Sequence, residues 1–134
     1  MSQENRELVL ALAAMYNARE LDAVIVHCTG DVSVSPDRSV FPEGEPFVGR
    51  ERYRSFLEET WAAWSGGGVT VEEMLNLDDG RLLVRYEWRA IGSASGIETT
   101  TSLSTIWSFR DGKISAAEYF FDHDKAPKAL GLEE

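Results

Sequence analysis

Residues 99–126, TTTSLSTIWSFRDGKISAAEYFFDHDKA, decide the fold. Two apolar-alternating runs flank Arg110-Asp111-Gly112-Lys113. Asp-Gly at such a junction predicts a tight hairpin, because both central positions tolerate positive φ. With a side-chain period of two, Leu103, Thr105, Trp107 and Phe109 share one face of the first strand. Ala117, Tyr119 and Phe121 share one face of the second. The two aromatic faces form a platform that helices must cover or a ligand must fill. A short terminal helix follows, capped by Asp122 or Asp124.

Upstream, residues 3–18 carry helical spacing, with Leu8, Ala11, Leu12 and Met15 at i, i+3, i+4 and i+7 and Glu4 and Glu7 near the positive end of the dipole. Asn17-Ala18-Arg19-Glu20 breaks that pattern. A shorter helix follows, presenting Leu21, Val24, Ile25 and Cys28, and Thr29-Gly30 is expected to end it with Gly in the left-handed conformation. Asp31-Val-Ser-Val-Ser35 alternates as a short strand halted by Pro36. Residues 36–47 read as a loop with three prolines and Phe41. Gly49-Arg-Glu-Arg opens a third helix with Tyr53, Phe56, Leu57, Trp61 and Trp64 as its apolar stripe, ended by Ser65-Gly66-Gly67-Gly68.

Two further strands span residues 69–77 and 81–91, joined by Asp78-Asp79-Gly80. In the second, Leu82, Val84, Tyr86 and Trp88 face one way and Leu83, Arg85, Glu87 and Arg89 the other. A one-residue bulge would exchange these faces. Helices first and antiparallel strands afterwards make an α+β chain. A curved antiparallel sheet with three N-terminal helices on its concave face would bury every aromatic side.

The 134 residues suit one domain. A net charge of −10 argues against nucleic acid and against anionic membrane surfaces. No apolar run approaches spanning length, and the first residues show no secretory signal. The single cysteine, Cys28, excludes an internal disulfide and suits a reducing, cytoplasmic setting. Its apolar surroundings predict a buried, inert thiol. Asp122-His123-Asp124 is the one metal-like cluster, but neighbours on an extended chain diverge, so neither a metal nor a cofactor is expected.

Five segments together resemble a known family: Tyr16-Asn-Ala-Arg-Glu-Leu-Asp-Ala, Gly30-Asp-Val, Phe47-Val-Gly-Arg-Glu, Ile106-Trp-Ser-Phe-Arg-Asp-Gly-Lys-Ile, and Phe121-Asp-His-Asp-Lys-Ala with Leu130-Gly-Leu. In order they are similar to SnoaL-like proteins of the nuclear-transport-factor-2-like superfamily, which includes ketosteroid isomerases, polyketide cyclases and limonene epoxide hydrolases. The resemblance spans nearly the whole chain. It implies a cone, three helices closing over a strongly bent sheet around an apolar pocket. It implies function less, since one fold hosts many chemistries.

The family's acidic residues are missing. The isomerase base position matches Pro36, beside Asp37, the oxyanion Asp matches Thr105, and the first-helix Tyr matches Leu12. The last-strand Asp of the cyclases and epoxide hydrolases matches Tyr119. The Arg-x-Asp of the epoxide hydrolases is echoed only by Arg85-Tyr86-Glu87, whose Arg85 and Glu87 the alternation turns outward.

The candidate acid/base residues are therefore Tyr119 as donor and Asp37 or His27 as base, each with an ordinary structural alternative. Tyr119 could be a half-buried aromatic whose hydroxyl finds a partner. Asp37 could be a turn residue, and His27 could sit on a helix C-terminus. Candidate ligand contacts are Val34, Trp61, Trp64, Tyr86 and Trp88, with Leu103, Thr105, Trp107 and Phe121 from the hairpin; the tryptophans also serve as core. The expected ligand is a small hydrophobic molecule, and the expected chemistry is cofactor-free isomerisation, cyclisation or hydration. Non-catalytic binding and a dimeric interaction module are the alternatives. Outward Arg85, Glu87, Ile106, Glu118 and Phe120 predict a homodimer through the sheet.

Overall fold

The computed structural model describes residues 2–35, 46–92 and 94–120. Three helices, α1 (Ser2–Asn17), α2 (Leu21–Val26) and α3 (Arg50–Ala63), accompany six strands: β1 (Cys28–Ser35), β2 (Phe47–Val48), β3 (Trp64–Asn76), β4 (Leu82–Gly92), β5 (Glu98–Arg110) and β6 (Lys113–Phe120). The strands lie in the order β2-β1-β6-β5-β4-β3. The strands β3 to β6 form an antiparallel meander, but β1 joins β6 in parallel. The sheet is thus mixed and mostly antiparallel, where wholly antiparallel pairing was expected. The expected α+β cone, with helices over the inner face, is the fold observed.

The 110–113 hairpin is as the sequence predicts. Asp111 (φ 53°) and Gly112 (φ 77°) both occupy the left-handed region, the geometry that matches strand twist. Across β5 and β6, Thr105 lies opposite Tyr119 and Trp107 opposite Ala117. The register of β4 against β5 is continuous from Leu82 to Ile91, so no bulge reverses Arg85 and Glu87. Register shifts lie in β3 instead, where Ser65 and Glu72 are passed over, and in β6, where Ser115 is. Inward-facing Leu82, Val84 and Tyr86 join Val9, Val32, Val34, Leu57, Trp107 and Ile114 in one core.

Three boundaries differ from expectation. α2 ends at Val26, and Cys28-Thr29-Gly30 is already strand. The Cys28 carbonyl accepts both Nε (3.0 Å) and Nη2 (2.6 Å) of Arg50, which fastens β1 to the start of α3. That tertiary contact outweighs the local stop signal of Gly30. Phe47–Val48, expected in the loop, forms a strand against Ser33 and Val34. α3 ends at Ala63, just ahead of Ser65-Gly66-Gly67-Gly68 as expected, but these glycines are strand rather than a break before it, with Gly67 opposite Ala90. A Cβ on Gly67 (φ 90°) would lie 1.9 Å from the Arg89 carbonyl oxygen, so only glycine allows this approach.

The buried face of α1 is wider than the expected stripe. Leu12 (5% exposed) is core, with Leu8 and Met15 packed against it as expected, and Val9 (0%), Ala13 and Tyr16 extend the same face. This wider stripe turns Tyr16 inward. Among the described residues no helix is long and apolar enough to cross a membrane.

Candidate functional site

All four tyrosines of the chain face the interior, one each from α1, α3, β4 and β5's partner β6. Tyr53 and Tyr119 meet through their hydroxyls at 3.0 Å. Tyr53 is 3% exposed, whereas the ring of Tyr119 is half-buried. Phe56 lies 6.2 Å from Tyr119 and Phe47 lies 5.3 Å from Phe56, while Trp107 meets Tyr119 edge-on at 6.2 Å. Phe47, Phe56, Leu103 and Tyr119 are partly accessible, whereas Trp107 is buried.

Their neighbours are closed off. Val34, Thr105, Tyr86 and Trp107 are sealed from solvent, and the Trp107 indole N–H donates to the Tyr86 hydroxyl at 3.1 Å. These four expected ligand contacts are thus packed core. One polar atom there is unsettled: Thr105 Oγ1, opposite Tyr119, is buried with no hydrogen-bond partner among the described residues.

Burial sets the electrostatics. It pushes the hydroxyls of Tyr53, Tyr86 and Tyr119 well above the ordinary tyrosine range, against the opposing hydrogen bonds at Tyr53 and Tyr86. Tyr16 is raised for the same reason, although Arg19 and the indoles of Trp61 and Trp88 favour its anion. Desolvation also lifts the Cys28 thiol to about 11, so it is inert as expected. At neutral pH the interior holds neutral donors and no charge of its own.

A second feature lies where α1, α3, β3 and β4 meet. Tyr16, Trp61 and Trp88 supply three rings, Arg19 the charge, and Gly67 and Gly68 the floor of a cleft enclosing about 20 Å³. Tyr16 and Trp61 are tilted rings 5.4 Å apart. Asn17 holds α1 here by treating edge strand β3 as a pairing partner: its amide accepts from Val69 N–H (2.8 Å) and donates to Val69 carbonyl (2.9 Å). α1 then ends in a Schellman turn. Glu20 N–H reaches the Met15 carbonyl and Arg19 N–H the Tyr16 carbonyl, with Arg19 left-handed at φ 58°.

Of the expected acid/base residues, Tyr119 stands in the interior as described. His27 caps α2, and its carbonyl accepts from Ile114 N–H. Because Tyr119 lies five residues further along β6, the two are about 15 Å apart at strand rise, and the fold does not bring them together. Asp37 and Phe121 lie outside the described residues, as do Asp122-His123-Asp124 and the expected terminal helix. Trp64 begins β3 rather than continuing α3. Trp61 and Trp88 line the cleft. Sequence reasoning missed Tyr53 as a polar partner, reading it as helix stripe, and passed over Tyr16 and Arg19. The available signal was the tyrosine distribution, one on each inward face.

On the outer face, Leu83 (0% exposed) and Ile106 (1%) form a small cluster with Leu77 and Phe120 packed against it. Arg85 pairs with Glu73 at 2.8 Å, and its Nε is buried without a partner among the described residues.

No curated protein matches the sequence. Among solved structures, the chain resembles an NTF2-like protein of unknown function from Burkholderia pseudomallei K96243, with TM-score 0.77 and 18% identity over 93% of this chain and 95% of that one. It resembles TerC co-crystallized with polyporic acid, with TM-score 0.76 and 22% identity over 96% and 98% of the two chains. A protein provisionally named a SnoaL-like polyketide cyclase, from Jannaschia sp. CCS1, gives TM-score 0.78 and 16% identity over 98% and 94%. At such identities the likeness is one of fold. Residues 9–117 match the SnoaL-like domain. The chain belongs to the SnoaL-like domain family.

Proposed function

We propose that the cone interior binds a small hydrophobic molecule through a carbonyl or phenolic oxygen placed on the Tyr53–Tyr119 hydroxyl pair. One observation carries this reading. Two hydroxyls sharing one hydrogen bond leave a second O–H hydrogen, and among the described residues no acceptor takes it. A spare donor in an apolar interior is costly unless an oxygen meets it. Thr105 Oγ1, on the same inner face, is a second polar atom wanting a partner. Partly accessible Leu103, Phe56 and Phe47 supply the apolar wall around them.

The chemistry that follows is cofactor-free acid/base catalysis of the isomerase, cyclase or hydratase type. Tyr119, held protonated by burial, donates to an oxygen on which negative charge develops, and Tyr53 polarises it from behind. Asp37, two residues beyond the end of β1, is the base this reading selects over the distant His27. The neighbour co-crystallized with polyporic acid and the provisional cyclase are in keeping with an oxygenated organic ligand.

The test uses 1-tetralone and its hydrocarbon counterpart tetralin, each titrated by calorimetry. Tyr119→Phe is expected to weaken the ketone by about 2- to 10-fold, the worth of one neutral hydrogen bond, and to leave tetralin unchanged. Equal affinity of both proteins for the ketone overturns the assignment. Enzyme-dependent deuterium exchange beside the carbonyl, lost in Asp37→Asn, separates catalysis from binding alone.

The sheet's outer face supports a homodimer in this proposal. Exposed Leu75 and half-buried Phe120 lie among Arg85, Glu87 and Glu118, apolar surface bordered by both charge signs. Ile106, on that face but already covered, would support the interface rather than enter it. A dimer by light scattering that Phe120→Asp converts to monomer is the expected result. A reducing, cytoplasmic setting is the compartment that the single buried thiol suits.

A further inference from the structure

The cleft between α1, α3 and the start of β3 is separate from the tyrosine pair, and its chemistry differs. Among the described residues its lining holds one cation, Arg19, and no acidic residue, in a chain with 23 Asp and Glu against 13 Lys and Arg. In so acidic a protein, a concavity with net positive charge favours an anion. Three of its side chains are planar rings, Tyr16, Trp61 and Trp88, and Asn17 and Thr60 add neutral polar groups. A bare aromatic box of this kind would suit a cation, but Arg19 at its edge opposes one.

Arg19 occupies its place against local preference. The left-handed residue of a Schellman turn is ordinarily glycine, because a Cβ there is strained. The turn itself is complete and needs no arginine. The residue's guanidinium instead reaches the far side of the cleft, where Nη1 donates to the Trp61 carbonyl at 3.1 Å. A strained, charged side chain anchored to the wall of an aromatic cleft is one that function retains.

The floor is equally particular. Gly67 and Gly68 are fixed by close approach, for a Cβ on Gly68 would come within 2.5 Å of the Asn17 side chain and one on Gly67 would strike the Arg89 backbone. The enclosed volume, about 20 Å³, holds a group the size of one water or one carboxylate oxygen. Anything larger must lie at the mouth, against the half-buried faces of Trp61 and Trp88.

We infer that this cleft binds an aromatic carboxylate, its anionic oxygen inside against Arg19 and its ring at the mouth between Trp61 and Trp88. The planar guanidinium matches a carboxylate, and the Tyr16 phenol adds a neutral donor. The site does not rest on the reading given to Tyr53 and Tyr119.

The experiment titrates benzoate and neutral benzyl alcohol against the full chain, followed by tryptophan fluorescence, in the unaltered protein, Arg19→Gly and Tyr119→Phe. Glycine is the residue the turn prefers, so Arg19→Gly keeps the fold, checked by a melting temperature no lower than that of the unaltered protein. Saturable benzoate binding is expected, with benzyl alcohol weaker by about 10-fold or more. Arg19→Gly is expected to lose that preference and Tyr119→Phe to keep it. No saturable benzoate response, equal affinity for both probes, or a preference that survives Arg19→Gly overturns the inference. Loss in Tyr119→Phe alone would move benzoate to the cone interior and overturn it as well.

Discussion

Raising the pH should unfold this protein in one step that its tyrosines both cause and report. Tyr53, Tyr86 and Tyr119 are all held well above the ordinary range by burial. Their neutral forms belong to the folded state, so their contribution is intact below the unfolded value of about 10 and is lost as pH rises past it. Each group weakens the fold by about 1.4 kcal/mol per pH unit in that range, so the three together remove about 4 kcal/mol at pH 11. Cys28, raised to about 11, adds about 2 kcal/mol between pH 9 and 11. That total equals the whole stability of a marginal domain, about 5–15 kcal/mol. The assay is tyrosinate absorbance recorded beside near-ultraviolet circular dichroism. All four tyrosines, Tyr16 included, should ionise together as the dichroism collapses. A tyrosine that titrates near pH 10 with the dichroism intact would refute the buried hydroxyl cluster.

Tyr86→Phe removes the acceptor of the Trp107 indole N–H in a closed interior. It should cost about 1–3 kcal/mol in urea unfolding, and a smaller loss would mean the indole finds another partner. Gly67→Ala places a Cβ against the Arg89 carbonyl at positive φ, and should lower stability by about 2 kcal/mol or more by thermal melting. At low pH, Arg110 and then Thr29 hold the Asp31 carboxylate down to about 2. Its stabilising effect is present above about pH 4 and fades as pH falls towards 2, so Asp31→Asn should flatten that acid limb. The pair is fully exposed, so the same limb should also shrink in high salt.

Much of the fold was legible because local and tertiary preferences agree there. Asp111-Gly112 adopts the turn its residues favour, and the alternation of β4 and β5 survives because both strands have one buried face. Legibility failed where distant contacts overrode local signals. Gly30 marks no helix end because Arg50, twenty residues on, binds the Cys28 carbonyl and claims that segment for β1. Gly66 to Gly68 follow the end of α3 as read, but β4 pairs with them and makes them strand, so β3 starts earlier than its first valine.

The candidate site was half visible. Tyr119 could be placed by strand alternation alone, but its partner Tyr53 depends on how α3 crosses the sheet. Tyr16 was hidden because the buried face of α1 is wider than the stripe of Leu8, Leu12 and Met15: fully buried Val9, Ala13 and Tyr16 extend it. Arg19 was unreadable for another reason. Its left-handed conformation breaks the rule that would have placed glycine there, and residues that break local rules are those a site tends to keep.

The central claim is that the Tyr53–Tyr119 pair receives a ligand oxygen. Carbonyl carbon NMR of labelled 1-tetralone, bound to the unaltered protein and to Tyr119→Phe, addresses that atom directly. A hydrogen bond from the pair should move the bound carbonyl resonance downfield, and the shift should vanish in Tyr119→Phe. A bound resonance identical in the two proteins, or a ketone that never leaves its free position, would contradict the account.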